Sequence, residues 1–359
     1  MDQAQDNPIG TDGFDFVEYA AGKGTLLQDL FTELGFSPVA RHKSKNITLY
    51  RQGGINFLLN AQKEGFAAEF AKTHGPSACA MGFRVANAEA ALIEVQRRGA
   101  SKAKVAGDDV AVPAPCIEAV GGARIYLVDR YNGSSIYEDD YEFFADSPEN
   151  DKAAGLTYID HLTHNVFRGN LDKWCDFYID LFDFTQIRYF DIDGAATGLI
   201  SRAMGSPCGK ICIPINESKD DRSQIAEYLE AYHGEGIQHI ALGTDDIYGS
   251  VVQLKANGVD FQETPDTYYE LLEERISDHR EDSELLQKLG ILLDGERNDE
   301  VGLLLQIFTQ EVIGPIFFEV IQRKGNKGFG EGNFNALFKS IELDQVRRGV
   351  LKIDEPAAE

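Results

Sequence analysis

The chain has little that would tie it to a membrane, to nucleic acid or to an oxidising compartment. No stretch approaches the roughly 18 consecutive apolar residues of a membrane-spanning helix, so no membrane partner is expected. Cysteine is sparse: Cys79, Cys116, Cys175, Cys208 and Cys212 form an odd, scattered set without a CxxC pair. That excludes a disulfide framework or a thiolate zinc site and fits a reduced, cytoplasmic protein. The opening "MDQAQDNPIGTDG" lacks the basic and apolar regions of a secretory signal, so export is not expected. Positive charge is also short, with 34 Lys and Arg against 59 Asp and Glu, a net charge of −25. Phosphate backbones are bound by clustered Lys and Arg, so nucleic acid is an unsuitable partner. The same field opposes an approaching anion, which would need a local positive centre such as a metal ion.

What is present is a globular composition, 43% hydrophobic and 26% charged, in 359 residues, long enough for two domains. An acidic, turn-rich stretch at 129–155, "DRYNGSSIYEDDYEFFADSPENDKAAG", divides it. The expected division is 1–150, 151–345 and a tail at 346–359. The two sides resemble each other. "GFDFVEYA" and "TLLQDLFTELGF" (13–36) read as strand then helix, as do "YIDHLTHNV" and "LDKWCDFYIDLFDF" (158–184). "SACAMGFRVANAEAALIEVQRRGA" (77–100) is echoed by "GIQHIALGTDDIYGSVVQLKANGV" (236–259), each a strand and a helix closed by Gly. Further strand-bearing stretches follow each helix. The expected unit is strand–helix–three strands, occurring about four times, and paired units should curl around a shared pocket.

Only seven histidines occur: His42, His74, His161, His164, His233, His239 and His279. His161 and His239 lie in otherwise apolar strands of successive units, and Glu319 lies inside "IFFEVIQR" (316–323). A bare carboxylate in a core costs several kcal/mol, about the scale of a whole domain's stability margin, so it should be paired or metal-bound. Two imidazoles and a carboxylate from three strands make a facial triad suited to non-haem Fe(II). Side chains alternate along a strand, so His161 and His164 face opposite sides; only one can be a ligand, and the pattern does not say which. The same alternation turns Asp160 away from His161 and Gln238 away from His239. Arg323 and Lys324 are the alternative partners for Glu319. The other histidines are expected on polar, solvated surfaces. Aligning the two halves sets Phe16 opposite His161, Ala80 opposite His239 and Leu127 opposite Glu319, so the first half should be scaffold without ligands.

"DHLTHNV", "PINE", "GIQHIAL", "TPDTYYE", "GILLDG", "LLLQIFT", "FFEVIQRKG" and "GFGEGNFNALFKSIE" together resemble the bacterial type of the 4-hydroxyphenylpyruvate dioxygenase family, through nearly all of 151–350. The resemblance implies a vicinal oxygen chelate fold: α+β, with two domains of paired βαβββ modules, open barrel-like sheets, outer helices and a C-terminal lid helix. It implies His161, His239 and Glu319 as ligands of one Fe(2+) per chain, which selects His161 over His164. It implies catalytic roles for Ser201, Asn216, Gln224 and Gln306, and substrate binding by Phe308, Phe329, Asn333 and Phe334, with Gln238 a further match. Alternation adds Phe317, on the metal side beside Glu319. Phe334, Leu337, Phe338 and Ile341 follow helical spacing behind "GNKGFGEG" as the lid.

The implied reaction converts 4-hydroxyphenylpyruvate and dioxygen to homogentisate and carbon dioxide, in tyrosine and phenylalanine catabolism, by a homo-oligomer (dimer or tetramer). The nearest rival is 4-hydroxymandelate synthase, and a ring-cleaving extradiol dioxygenase fits the pocket motifs poorly. A rival from another class is a metal-free binding or resistance protein on the same scaffold.

Overall fold

A computed structural model of the chain describes residues 6–22, 24–103, 109–145, 153–193, 198–221, 223–296, 301–333 and 336–337. Their strands form two eight-stranded sheets. The first holds β1 (Phe14–Ala20), β2 (Ser37–His42), β3 (Ile47–Gln52), β4 (Ile55–Asn60), β5 (Ser77–Arg84), β6 (Cys116–Glu118), β7 (Arg124–Val128) and β8 (Tyr141–Phe143). The second holds β9 (Leu156–Val166), β10 (Thr185–Asp193), β11 (Gly198–Gly205), β12 (Cys212–Ser218), β13 (Gly236–Thr244), β14 (Leu292–Glu296), β15 (Gly302–Phe308) and β16 (Phe317–Lys324). Helices α1 (Leu26–Glu33), α2 (Phe66–His74) and α3 (Ala88–Arg97) accompany the first. Helices α4 (Leu171–Phe182), α5 (Gln224–Tyr232), α6 (Ile247–Asn257), α7 (Asp266–Glu270), α8 (Leu272–Arg275) and α9 (Ser283–Leu289) accompany the second.

The strand orders are β6-β7-β5-β1-β4-β3-β2-β8 and β10-β11-β12-β9-β13-β16-β15-β14. At the centre of each sheet the same pairings recur. β1 is antiparallel to β5 and parallel to β4, with β5 parallel to β7. Likewise β9 is antiparallel to β13 and parallel to β12, with β13 parallel to β16. The repeat is thus written in the hydrogen bonds, and the class is α+β with two curled sheets of the vicinal oxygen chelate type. One unit departs from the expected pattern: after α3 come β6 and β7, and a lone bridge, Lys102 to Ile117, stands where a further strand would be. The acidic divider does more than divide, since its Tyr141–Phe143 pairs with β2 as the edge of the first sheet. Tyr141 is drawn in by its ring, edge-on to Tyr137 at 5.5 Å and to His42 at 5.1 Å.

Helix α4 shows why these segments cover the sheets. Its apolar residues recur every three or four positions, so Leu171, Trp174, Cys175, Tyr178, Leu181 and Phe182 share one buried face. It stops at Asp183, in the left-handed region at φ 57°, and Arg98 of the other half pairs with that carboxylate at 2.8 Å. Where the halves meet, Gly121 has φ +61°, and a Cβ there would run into the Glu235 carbonyl, so the close approach requires glycine.

One apolar core is shared by both sheets. Phe318 and Val320 lie in it, with the Phe318 ring 6.1 Å from Phe57 of β4. Strand alternation then turns the intervening Glu319 to the other face of β16. Two histidines expected at the surface are buried instead: His42 is 5% and His279 2% exposed. His279 lies 3.0 Å from the Glu273 carboxylate. Residues 331–333 and 336–337 are helical. The rest of the expected lid helix, with Phe334, Phe338 and Ile341, lies outside the described residues, as does the tail.

Candidate metal centre

His161 on β9, His239 on β13 and Glu319 on β16 are brought to one point. His161 Nε2 is 3.2 Å from Glu319 Oε2 and 3.3 Å from His239 Nε2, and His239 Nε2 is 3.5 Å from the same oxygen. Among the described residues no other group of His, Cys, Asp and Glu converges in this way. Metal–nitrogen and metal–oxygen bonds of about 2.1 Å place neighbouring donors about 3 Å apart on one ion, and these three sites match that spacing. His164 points to the other face, where its Nε2 meets the Tyr178 hydroxyl at 2.7 Å. Burial holds that ring neutral, its pKa pushed down to about 3.

Two β-bulges build the site, and they correct the alternation argument. Along β9 and β13 the pairs run Leu242–Ile159 then Ala241–His161, and His239–Thr163 then Ile237–His164, which leaves Asp160 and Gln238 as extra residues. A bulge breaks the period of two and can aim consecutive side chains at one region. Asp160 Oδ1 accepts from His161 Nδ1 at 2.8 Å, and Gln238 Oε1 lies 2.7 Å from His239 Nδ1. Neither residue is turned away from its histidine. Each ring nitrogen that faces away from the cluster is thereby engaged, which leaves Nε2 of each ring facing inward. The sequence signal was there, as a polar residue directly before each strand histidine.

Arg323 does not pair with Glu319. It grips Asp160 with both edges of its guanidinium, at 2.7 Å each. Lys324 goes to Glu281 at 2.7 Å. Burial disfavours charge on His161, but the Glu319 and Asp160 carboxylates outweigh it and push its pKa up to about 9. Burial disfavours charge on Glu319 as well, and the two imidazoles hold its pKa below the usual carboxylate range. His239, with burial dominant, is held below its ordinary value.

The register also bears on the comparison between halves. With the capping residues Asn87 of α3 and Asp246 of α6 aligned, Gly82 corresponds to Ala241; Ala241 pairs with His161 and Glu319, and Gly82 pairs with Phe16 and Tyr126. The counterparts are thus Phe16 for His161 and Ala80 for His239, as expected, and Tyr126 for Glu319, one place before Leu127. In the first sheet Phe16, Ala80 and Tyr126 share a buried cluster where the second offers metal donors.

Around the cluster, Phe317 stacks on His239 (4.8 Å, 17°) and Phe308 meets Phe317 edge-on at 5.9 Å. The Phe329 ring lies edge-on to His161 at 5.4 Å. Gln306 on β15 and Asn333 are buried, and Tyr268 donates to Asn333 Oδ1 at 2.5 Å. Ser201 is buried on β11, directly across from Asn216 on β12. Asn216 donates to Asn165 Oδ1 at 3.3 Å. Gln224 opens α5 and is exposed, apart from the buried set. Two residues were missed by sequence reasoning. Thr163 contacts His239 Nε2 at 2.9 Å, and Asn165 is fully buried on the same face, two and four places after His161. Among the described residues Gln306 Oε1, Asn333 Nδ2 and Asn165 Nδ2 are buried without a hydrogen-bond partner. Buried amide groups of this kind call for a partner that the chain itself does not supply.

Comparison with known proteins agrees with this geometry. The family pattern described as the N-terminal part of hydroxyphenylpyruvate dioxygenase matches residues 5–142. That of the glyoxalase, bleomycin resistance protein and dioxygenase superfamily matches 158–279. Hemolysin VllY of Vibrio vulnificus is 56% identical over 96% of this chain and 98% of its own. A solved triple mutant of 4-hydroxymandelate synthase from Streptomyces coelicolor superposes with a TM-score of 0.76 at 26% identity, covering 93% of this chain and 99% of that one. The 4-hydroxyphenylpyruvate dioxygenase of Pseudomonas aeruginosa is 56% identical over 97% of this chain and 98% of its own. With that identity sustained from end to end, the chain belongs to the 4-hydroxyphenylpyruvate dioxygenase family.

Proposed function

We propose that the protein is an Fe(II)-dependent dioxygenase that converts 4-hydroxyphenylpyruvate and dioxygen to homogentisate and carbon dioxide. The observation that carries this is the convergence of His161, His239 and Glu319 in a chain 56% identical to an enzyme of that name. Fe(II) held by these three donors would activate dioxygen and leave coordination positions for the α-keto acid. In the balanced reaction the carboxylate leaves as carbon dioxide. One dioxygen atom enters the new acid, the other hydroxylates the ring, and the side chain moves to the neighbouring carbon.

The chain's own residues prepare that chemistry. Asp160 and Gln238 fix the two imidazoles with Nε2 toward the substrate. Phe308, Phe317 and Phe329 wall the site with apolar surface against an aromatic ring. Ser201, Asn216, Gln306 and Asn333 offer hydroxyl and amide groups for its phenol and acid ends, and Asn165 extends that set. His161 and Glu319 are each 3% exposed, so bulk water is kept from the reacting end. His239 is the more open ligand, 12% exposed along its side chain, and marks the side of entry. Gln224, outside the buried set, is assigned to the approach, and Phe334 to the substrate by family position.

We place the division near residue 150, with the first sheet as scaffold and the second as the catalytic unit. The working form is read as a cytoplasmic homo-oligomer; the five thiols are all free, which fits a reducing compartment. Among the described residues no helix is long and apolar enough to cross a membrane.

The test is anaerobic loading with Fe(II), addition of 4-hydroxyphenylpyruvate and dioxygen, and identification of the product. Homogentisate is expected. Hydroxymandelate would reassign the chain to the synthase reaction, and an absence of oxygen uptake by the loaded chain would refute the proposal.

A further inference from the structure

Arg323 lies four residues after Glu319 on β16 and is 20% exposed, against 5% for the Asp160 side chain that it grips. Its guanidinium has three edges in use. Nε and Nη2 each donate to an Asp160 oxygen at 2.7 Å. Nη1 donates to the Gly328 carbonyl at 2.7 Å and to that of Asn326 at 3.3 Å. The same guanidinium lies 5.5 Å from the centre of the Phe329 ring, whose other neighbour is His161. A single side chain thus joins the carboxylate that orients a metal ligand to the backbone of the Gly-rich segment carrying Phe329.

We propose that Arg323 is a positioning residue that couples occupancy of the metal centre to the conformation of residues 326–330. A cation on His161 Nε2 draws electron density from the ring and makes Nδ1–H a stronger donor to Asp160. Asp160 is then held in the orientation that accepts both guanidinium edges, and Arg323 keeps its third edge on the Gly328 carbonyl. Linkage is reciprocal: the factor by which the metal closes this segment is the factor by which release of the segment weakens the metal. A lysine could keep the charge, but a single ammonium lacks the planar fork that serves Asp160 and Gly328 together.

This inference rests on the metal reading above and is tested without turnover. Lys327 is exposed between the two clamped carbonyls, so trypsin cleavage after Lys327, followed by mass spectrometry, reports opening of the segment. Co(II) serves as the air-stable probe, and its affinity is measured by calorimetry. In the wild-type chain, saturating Co(II) should slow cleavage after Lys327 about tenfold. In R323Q the Co(II) dissociation constant should rise about 10- to 100-fold, and Co(II) should no longer protect Lys327. R323K should resemble R323Q. D160N should also lose the protection, because its amide would face the guanidinium donor to donor.

Wild-type chain that binds Co(II) yet is cleaved at an unchanged rate overturns the coupling, whatever the variants do. So does an R323Q chain that binds Co(II) within about twofold of wild type and remains protected. Failure of the wild type to bind Co(II) removes the metal reading and this inference together. Intact coupling without homogentisate formation would leave the inference standing and defeat only the proposed reaction.

Discussion

Asp160 stands to His161 as Gln238 stands to His239: each directly precedes its histidine, each is the extra residue of a bulge, and each engages Nδ1, at 2.8 and 2.7 Å. The two partners differ in charge, and Gln238 is the one without a cation behind it. Removing its amide in Q238A leaves the His239 ring held by the Phe317 stack and free to keep its bond to Thr163 through Nε2. Co(II) affinity should fall about tenfold or more in calorimetric titration. An unchanged affinity would mean that stacking alone orients the ring.

His161 and His164 make a matched pair for substitution, three residues apart on opposite faces. H161A should purify with almost no iron by emission spectroscopy and should not turn over. H164Q should retain its metal, because His164 reaches only Tyr178, and should lose about 1 kcal/mol of stability with the buried hydrogen bond. Equal loss of iron in both would contradict the register of β9.

Glu18, two places after Phe16 on β1, makes the first sheet sensitive to pH. It is 1% exposed and accepts from Asn60 at 2.8 Å. Burial pushes its pKa from 4.5 to about 7, against the opposing hydrogen bond from Asn60 and the charge of Arg124. A raised carboxyl pKa means that the folded chain binds the proton more tightly than the unfolded one. Stability is therefore full below pH 4.5 and drains away as pH rises through about 7, by about 3 kcal/mol. Urea titrations across this range should show that slope, and E18Q should flatten it. A wild-type slope unchanged in E18Q would assign the titration elsewhere.

Much of this was legible because chemistry interrupts a pattern. His161, His239 and Glu319 stand out as polar letters in apolar strands, and the recurrence of strand and helix identifies equivalent strands. Asp160 and Gln238 were misplaced because a bulge is a property of two strands in register, and one strand read alone keeps its alternation. The same limit shifted one of the three pairs between the halves. Counting from the chain beyond β7 and β16 picked Leu127 opposite Glu319, where hydrogen bonding picks Tyr126. Tyr141–Phe143 was absorbed into an acidic divider because three residues are too few to carry a period. Asn165 and Thr163 were hidden by a stronger neighbour: once His161 is fixed, alternation alone would have placed both on its face.

Gly330 ties the Gly-rich segment to the amide floor of the site, and its substitution separates the pocket from the metal. It has φ +76°, and a Cβ there would run into the Gln306 amide. In G330A the backbone strain is about 1 kcal/mol, and the larger consequence is steric, since Gln306 is 1% exposed and has no room to retreat. Either the amide swings from its place or the segment lifts with Phe329. Both outcomes weaken substrate binding, while no metal ligand is touched. KM for the keto acid should rise about tenfold or more in oxygen-uptake kinetics, with Co(II) affinity close to wild type. Q306A removes the obstacle, so G330A should cost less in that background than alone, a non-additivity that a double-mutant cycle measures. Additive effects would show that Gly330 serves only the backbone turn and that Gln306 feels nothing of it.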